Sequence, residues 1–383
     1  MNLTRRHFLG WGTFVTAGAA FGFQHLAAAR SEAERFGPLI ADPKGLVDLP
    51  EGFSYQLLAQ TGDKMSDGQK RRDLPDGMAC FSGPDGSIIL MVNHECDDNG
   101  GVSRLVLDPA TLKVRSSNDV LTGTQRNCAG GPSPWGWLTC EEYSEGGVWV
   151  CPLGTTSALT GTARQRLDAY GSFKHEAVCV DPDRLIAYLT EDDGPSSIFR
   201  MVPTNKKRPF EGQLQALAGV GPGIKDTGKL RPGERFEIKW VNVDPKNARK
   251  SAQEKGAAVF YRGEGMWFFD GDVYFTATAY NQLFKLSPRD QSGTVELITD
   301  DLISPDNVTV APWGEVIVAE DQVGHSRLRV VNSKGQVSTL ARNAVSIAQE
   351  FAGVCFSPDG KTLFCNLQKS GHTVAIRGPF QRS

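Results

Sequence analysis

The 383-residue chain has few histidines, no long apolar run and no surplus of positive charge. Of its six histidines, His7 and His25 fall in the first thirty residues, which leaves His94, His175, His325 and His372 scattered over the remainder. No H-E-x-x-H pair occurs, so a zinc-protease helix is excluded. A net charge of −3, a pI near 6.1 and no basic run longer than a few residues argue against a nucleic-acid partner. There is no G-x-S-x-G elbow, since Ser133 lies within Gly-Pro-Ser-Pro-Trp, and no Walker loop. Gly219-Val-Gly-Pro-Gly223 does not complete G-x-G-x-x-G. Amphipathic stretches of 3.6-residue period are scarce as well. With 42 glycines and 21 prolines marking turns, the chain reads as all-β.

The first residues form an address. Thr4-Arg5-Arg6-His7-Phe8-Leu9 is a twin-arginine pattern, followed by a weakly apolar run from Gly10 to Phe23 and an A-x-A-like cleavage site at Ala27-Ala28-Ala29. The run is too short and too rich in Gly, Ala and Thr for a membrane span. Residues 1–29 are therefore predicted as a twin-arginine signal peptide, read by the twin-arginine translocase, with a periplasmic or secreted product. That route carries folded proteins, which suits a protein that takes up metal before export. Residues 30–383 then form one domain with ample length for a large core.

Eight cysteines in an exported chain suggest disulfides. Yet Cys80, Cys140, Cys179, Cys355 and Cys365 each lie inside an apolar strand-like run, where a thiol behaves as a small buried hydrophobe. The expectation is core thiols with at most one disulfide. Cys128 differs, because it lies in a polar loop between Asn127 and Ala-Gly-Gly.

A turn followed by an alternating apolar strand recurs six times. It occurs at Pro84-Asp85-Gly86, Pro134-Trp135-Gly136, Pro182-Asp183-Arg184, Asp270-Gly271-Asp272, Pro312-Trp313-Gly314 and Pro358-Asp359-Gly360. Apart from one longer gap, the copies are 43 to 50 residues apart, the length of a four-stranded propeller blade. The prediction is a six-bladed β-propeller, with a polar insertion over residues 203–256 between the third and fourth motifs. Residues 31–75 are expected to help close the ring.

Polar groups mark both ends of each hairpin. Before the turns stand Asp76, Asn127-Cys128, His175-Glu176, Glu264, Asp306-Asn307 and Glu350. After them come Asn93-His94-Glu95, Glu141-Glu142, Glu191-Asp192-Asp193, Thr276-Ala277-Thr278, Glu320-Asp321 and Asn366-Leu367-Gln368. Taken singly, each is an ordinary turn or rim residue. Together at one propeller mouth they would repel, and only cations would offset that. The oxygen-rich set favours calcium-like ions, and the thiol of Cys128 implies a softer transition metal beside them.

These blocks resemble the PhoX-type alkaline phosphatases. The resemblance is carried by Asn127-Cys-Ala-Gly-Gly131, Trp137-Leu-Thr-Cys-Glu-Glu142, Lys174-His-Glu-Ala-Val178, Tyr188-Leu-Thr-Glu-Asp192, Tyr261-Arg-Gly-Glu-Gly265, Ser304-Pro-Asp-Asn307 and Glu350-Phe-Ala-Gly353. It covers roughly residues 45–375. It implies hydrolysis of phosphomonoesters at an iron–calcium cluster, Fe3+ and Ca2+, in a propeller channel. By motif position Cys128 is the iron-ligating thiolate. Glu95, Glu142, Glu176, Glu264, Asp306 and Glu320 are carboxylate ligands, and Arg262 is the arginine that grips the substrate phosphate. Asp76 is added from its place in the repeat. The Trp-Gly-Trp-Leu turn is one residue shorter than the family's usual form, so Glu141 and Glu142 both stay candidates. No partner beyond a small phosphoester and the translocase is expected, and the chain is read as a monomer. Two rivals stay open: a calcium-dependent lactonase or esterase propeller, needing neither iron nor Cys128, and a non-catalytic periplasmic binding propeller.

Overall fold

Each of the six turns joins two antiparallel strands, and the strand before the turn is the innermost of its set. These six are Pro75–Ser82, Asn127–Ser133, His175–Val180, Gly263–Phe269, Pro305–Val310 and Phe351–Phe356. The computed structural model describes residues 35–381 except 224, 323 and 346–348, so the twin-arginine leader lies outside the described residues. Each inner strand packs against the next, and the last packs against the first. They close a ring. Strands buried on both faces need near-continuous small or apolar residues, which is what His-Glu-Ala-Val-Cys-Val and Phe-Ala-Gly-Val-Cys-Phe supply.

The fold is all-β and propeller-like. The N-terminal stretch closes it, because Ser54–Gln60 pairs with His372–Arg377 while Val47–Pro50 pairs with Val337–Asn343. Joining the start of the chain to its end leaves fewer open sheet edges. Six clusters of buried apolar side chains fill the seams between neighbouring sets, among the described residues. In one seam Trp137 packs with Ile89, Met91 and Val120, and in another Phe351 packs with Ile317 and Leu340.

Hydrogen bonding does not divide the described strands into six equal sheets. There are five, of six, three, nine, four and four strands. The nine-stranded sheet fuses the third and fourth sets through Arg235–Asn242, which pairs with residues 215–219 on one side and 292–296 on the other. This revises the insertion expected over 203–256. Its first part, Arg208–Gly219, is the outer strand of the third set, and only Ala248–Glu254 is α-helical. In the bridging strand Phe236, Ile238 and Trp240 turn inward while Arg235, Glu237 and Lys239 stay exposed. That period of two is hidden when the segment is read by composition alone.

All eight cysteines are free, so the single disulfide allowed for is absent. Cys140, Cys179, Cys355 and Cys365 are core thiols, as their apolar surroundings predict. No helix among the described residues is long and apolar enough to cross a membrane.

Candidate metal centre

All six ring strands break register near their start, after the first residue in five of them and after the second in Phe351–Phe356. In-register pairing stops after Pro75, Asn127, His175, Gly263, Pro305 and Ala352, and resumes three residues later. A bulge that sets two residues against one re-aims the side chains it contains. The first bulge residues are Asp76, Cys128, Glu176, Glu264, Asp306 and Gly353, and the five with side chains line one cavity of about 420 Å³. The second are Gly77, Ala129, Ala177, Gly265, Asn307 and Val354, which line a constriction beneath it. Small residues are required there, since a Cβ on Gly77 would meet Ala129 Cα at 2.5 Å. Gly353 leaves a gap in the ligand tier for a similar reason: its Cβ would lie 2.1 Å from the Asp76 carbonyl oxygen.

A second tier is equally regular. The N–H groups of Glu95, Glu142, Asp192, Thr278, Asp321 and Gln368 donate to the carbonyls of Leu74, Arg126, Lys174, Arg262, Ser304 and Glu350, at 2.9 to 3.3 Å. These six carbonyl residues stand at the lip, just before the ring strands. Leu74, Arg126, Arg262 and Ser304 are held there with φ between 46 and 57°. Left-handed backbone is unfavourable for such residues by about 1–2 kcal/mol, so the surrounding structure over-determines the lip.

Ten carboxylates line the cavity: Asp76, Glu95, Asp97, Glu142, Glu176, Asp192, Glu264, Asp306, Asp321 and Glu350. Among the described residues, Arg126, Arg262 and Lys369 line the cavity with them, and Lys174 reaches Glu142 at 3.8 Å. Ligand atoms of Glu176, Glu264 and Asp306 lie within 4.8 Å of one another, as do those of Asp306, Asp321 and Glu350. Burial, then the charges of Glu264 and Asp306, pushes the Glu176 carboxyl well above its ordinary range. Burial likewise raises Asp306 and Glu142 to about 7 and Glu350 to about 9, and raises Asp76 and Glu264 strongly. Burial and the charge of Glu176 also push the Cys128 thiol up. Its Sγ lies 3.3 Å from the His175 carbonyl oxygen and 3.5 Å from that of Glu176.

The donor set fits hard cations. Asp76 Oδ1 is buried with no hydrogen-bond donor, while Oδ2 accepts from Gln368 Nε2 at 2.9 Å, and the same amide reaches Glu95 Oε2 at 2.9 Å. A buried, unpaired carboxylate oxygen is costly unless something positive meets it. Asp76, Glu95, Glu142, Glu176, Glu264 and Asp306 would hold such ions, and Cys128 would suit a softer metal beside them. Among the described residues no histidine lines the cavity. His94 is engaged by Ser103 Oγ and the Asp73 carbonyl, and His175 stacks on Phe173.

Two expected ligands lie elsewhere. Glu141 faces outward, where its carboxylate accepts from Gln125 N at 3.0 Å, Gly147 N at 3.3 Å and Trp149 Nε1 at 2.8 Å. Glu320 also faces outward and accepts from Ile303 N at 2.9 Å. Each is the last residue in register with its ring strand, and strand side chains alternate, so the next residue faces the cavity. That places Glu142 and Asp321, rather than Glu141 and Glu320, on the cavity wall. Asp192, Glu350 and Gln368 were visible as strand ends without being assigned to the ligand set. The usable signal was the second member of each acidic pair.

Arg262 is at the cavity wall. Its Nε and Nη2 donate to the two carboxylate oxygens of Asp192 at 2.8 and 2.9 Å, and Nη2 lies 2.8 Å from Glu264 Oε1. The Asp192 hydrogen bonds hold its guanidinium still more firmly protonated. Thr278 Oγ1 donates to the same oxygen, Glu264 Oε1, at 3.1 Å.

The family model for alkaline phosphatase PhoX matches residues 34–119, 107–166, 149–301 and 290–371, nearly the whole described chain. The chain belongs to the PhoX alkaline phosphatase family. It is thereby a phosphoric monoester hydrolase of the alkaline phosphatase class. Its fold is similar to that of Pseudomonas fluorescens PhoX in complex with vanadate, a transition state analogue, with a TM-score of 0.74 and 16% identity over 91% of this chain and 98% of that one. Virginiamycin B lyase from Staphylococcus aureus reaches a TM-score of 0.41 at 12% identity, covering 85% of this chain and 99% of that one. A Xanthomonas campestris gluconolactonase reaches 0.41 at 12%, covering 90% and 98%. Likeness at that level carries no argument about function. No curated relative matches the chain.

Proposed function

We propose that this PhoX-family chain is a metal-dependent phosphomonoesterase whose reaction takes place in the cavity at the mouth of a six-bladed propeller. On this reading the nine-stranded sheet counts as two blades joined by Arg235–Asn242. The observation that carries the proposal is the tiered ring, in which five bulge residues, four of them acidic and one a thiol, converge beside Arg262. The mixed donor set supports Ca2+ on the carboxylates and Fe3+ at Cys128. When bound, these ions supply charge neutralisation for the phosphoryl oxygens and for the attacking oxygen.

The chain's own residues do the positioning. Arg262 is aimed by Asp192 and offers a planar, always-charged fork that suits a phosphoryl group. Thr278 and Arg262 both hold Glu264 Oε1, which fixes that carboxylate next to the arginine. Gln368, from the neighbouring set, ties Asp76 to Glu95. Preorganised charge of this kind needs no reorganisation during reaction. No side-chain nucleophile is required. Export through the twin-arginine translocase, a periplasmic or secreted location and a monomeric state belong to the same proposal.

The test is elemental analysis of natively purified protein alongside its phosphatase activity. Iron and calcium should both be present, chelation should abolish hydrolysis of p-nitrophenyl phosphate, and a visible ferric-thiolate colour should disappear in Cys128→Ser. A colourless, calcium-only preparation with full activity would overturn the iron assignment.

A further inference from the structure

The six lip positions are not alike. In chain order they hold Leu74, Arg126, Lys174, Arg262, Ser304 and Glu350, so three consecutive ones are basic. Arg126 repeats the setting of Arg262 two ring strands away. Each is the last residue before its ring strand, and each is left-handed, with φ of 46° and 57°. Each lines the same cavity, and their side chains are 37% and 47% exposed. Each is also steadied by a carboxylate of the second tier: Glu142 lies 3.0 Å from Arg126 Nη2, and Asp192 lies 2.8 Å from Arg262 Nε.

Arg126 is the looser of the two. Its other ion-pair distances, to Glu95 and Asp97, are 3.7 and 3.6 Å, beyond good hydrogen-bond length. A cation taken up by Glu142 or Glu95 competes with Arg126 for the same oxygens. That frees its planar fork for an anion in the cavity. On the phosphomonoesterase reading above, we propose that Arg126 is a second substrate-contacting residue, reaching the phosphate ester from a sector of the ring two strands away from Arg262's. The bland alternative is that Arg126 only orients Glu142.

The experiment compares metal-loaded wild type with Arg126→Gln and Arg126→Lys at constant ionic strength. It measures inorganic phosphate binding by calorimetry, kcat/KM on p-nitrophenyl phosphate and metal content. Loss of one charge-assisted contact should weaken phosphate binding by about tenfold and lower kcat/KM by roughly ten- to a hundredfold in Arg126→Gln. Metal content should hold, and Arg126→Lys should recover part of the binding because it keeps the charge without the fork. Unchanged phosphate affinity in both variants would overturn the proposal. So would metal loss in Arg126→Gln together with wild-type phosphate affinity in a metal-replete Arg126→Lys, because that pattern assigns Arg126 to holding Glu142. A wild type that binds phosphate but turns over no ester would instead overturn the phosphomonoesterase reading, while the binding data still decide Arg126.

Discussion

Glu141 and Glu142 are neighbours in the chain and opposites in the structure. Glu141 turns outward to two backbone N–H groups and an indole N–H. Glu142 turns inward, where its pairs with Arg126 and Lys174 measure 3.0 and 3.8 Å and burial lifts its pKa to about 7. The same division recurs elsewhere. Glu191 pairs outward with Arg249 at 3.0 Å while Asp192 faces the cavity, and Glu320 bonds Ile303 N while Asp321 faces the cavity. The outward face bonds Glu141 and Glu320 from within the protein, while Glu191 keeps one buried oxygen, Oε2, without a donor and is itself raised to about 7 by burial. The inward face crowds its carboxylates together, with ligand atoms of Glu176, Glu264 and Asp306 within 4.8 Å of one another. Identical chemistry one residue apart thus meets internal donors on one side and a crowded acidic cavity on the other.

The comparison breaks most sharply at the bulge tier. Glu264→Gln should lower phosphatase activity by at least about a thousandfold, on the scale of losing a major transition-state stabiliser, because it removes an oxygen donor next to Arg262. Calcium content should fall with it, and with calcium the thermal stability. Full activity with full metal content in that variant would place the reaction elsewhere.

Arg262→Lys comes next. It keeps the charge and loses the fork, so kcat/KM should drop by about two to three powers of ten with metal content unchanged. A surface ion pair would be worth only about 1 kcal/mol or less, and kinetics within a fewfold of wild type would assign Arg262 to that minor role.

The third check is the pH dependence of chelator-treated protein. Asp306 and Glu142 are raised to about 7 and Glu350 to about 9, against roughly 4 in an unfolded chain. Where the folded pKa exceeds the unfolded one, the native state binds more protons, so stability falls as pH rises through that window. The melting temperature of the metal-free protein should therefore decline between about pH 4 and 9. The metal-loaded protein should be spared, since cations replace the protons. A metal-free melting temperature that climbs from pH 5 to pH 8 would contradict the electrostatics of the inward face.

The smallest effect belongs to the outward face. Glu141→Gln should cost about 1–3 kcal/mol by weakening buried bonds to the Trp149 indole and two N–H groups. Denaturation should detect this while metal content and kcat/KM stay near wild type. Glu142→Gln should show the reverse, with weakened metal binding and an apo protein no less stable. Matching phenotypes for the two would erase the distinction.

The sequence by itself determined the all-β class, the six hairpins and the role of the N-terminal stretch in closure. Turn chemistry and a period of two are local properties, legible wherever apolar residues dominate a strand. It also exposed Asp76, Cys128, Glu176, Glu264 and Asp306, because each follows the first residue of an apolar ring strand. Only the tertiary structure decided which member of each acidic pair reaches the cavity. A bulge of one residue flips every later side chain, and six such bulges occur without a sequence mark of their own. The bridging strand Arg235–Asn242 escaped for another reason. Its exposed face is so charged that composition outweighed alternation, and only its partners on both sides reveal it as the seam between two sets. Arg126 became significant in the same way, since its likeness to Arg262 is a likeness of position around a ring rather than along a chain.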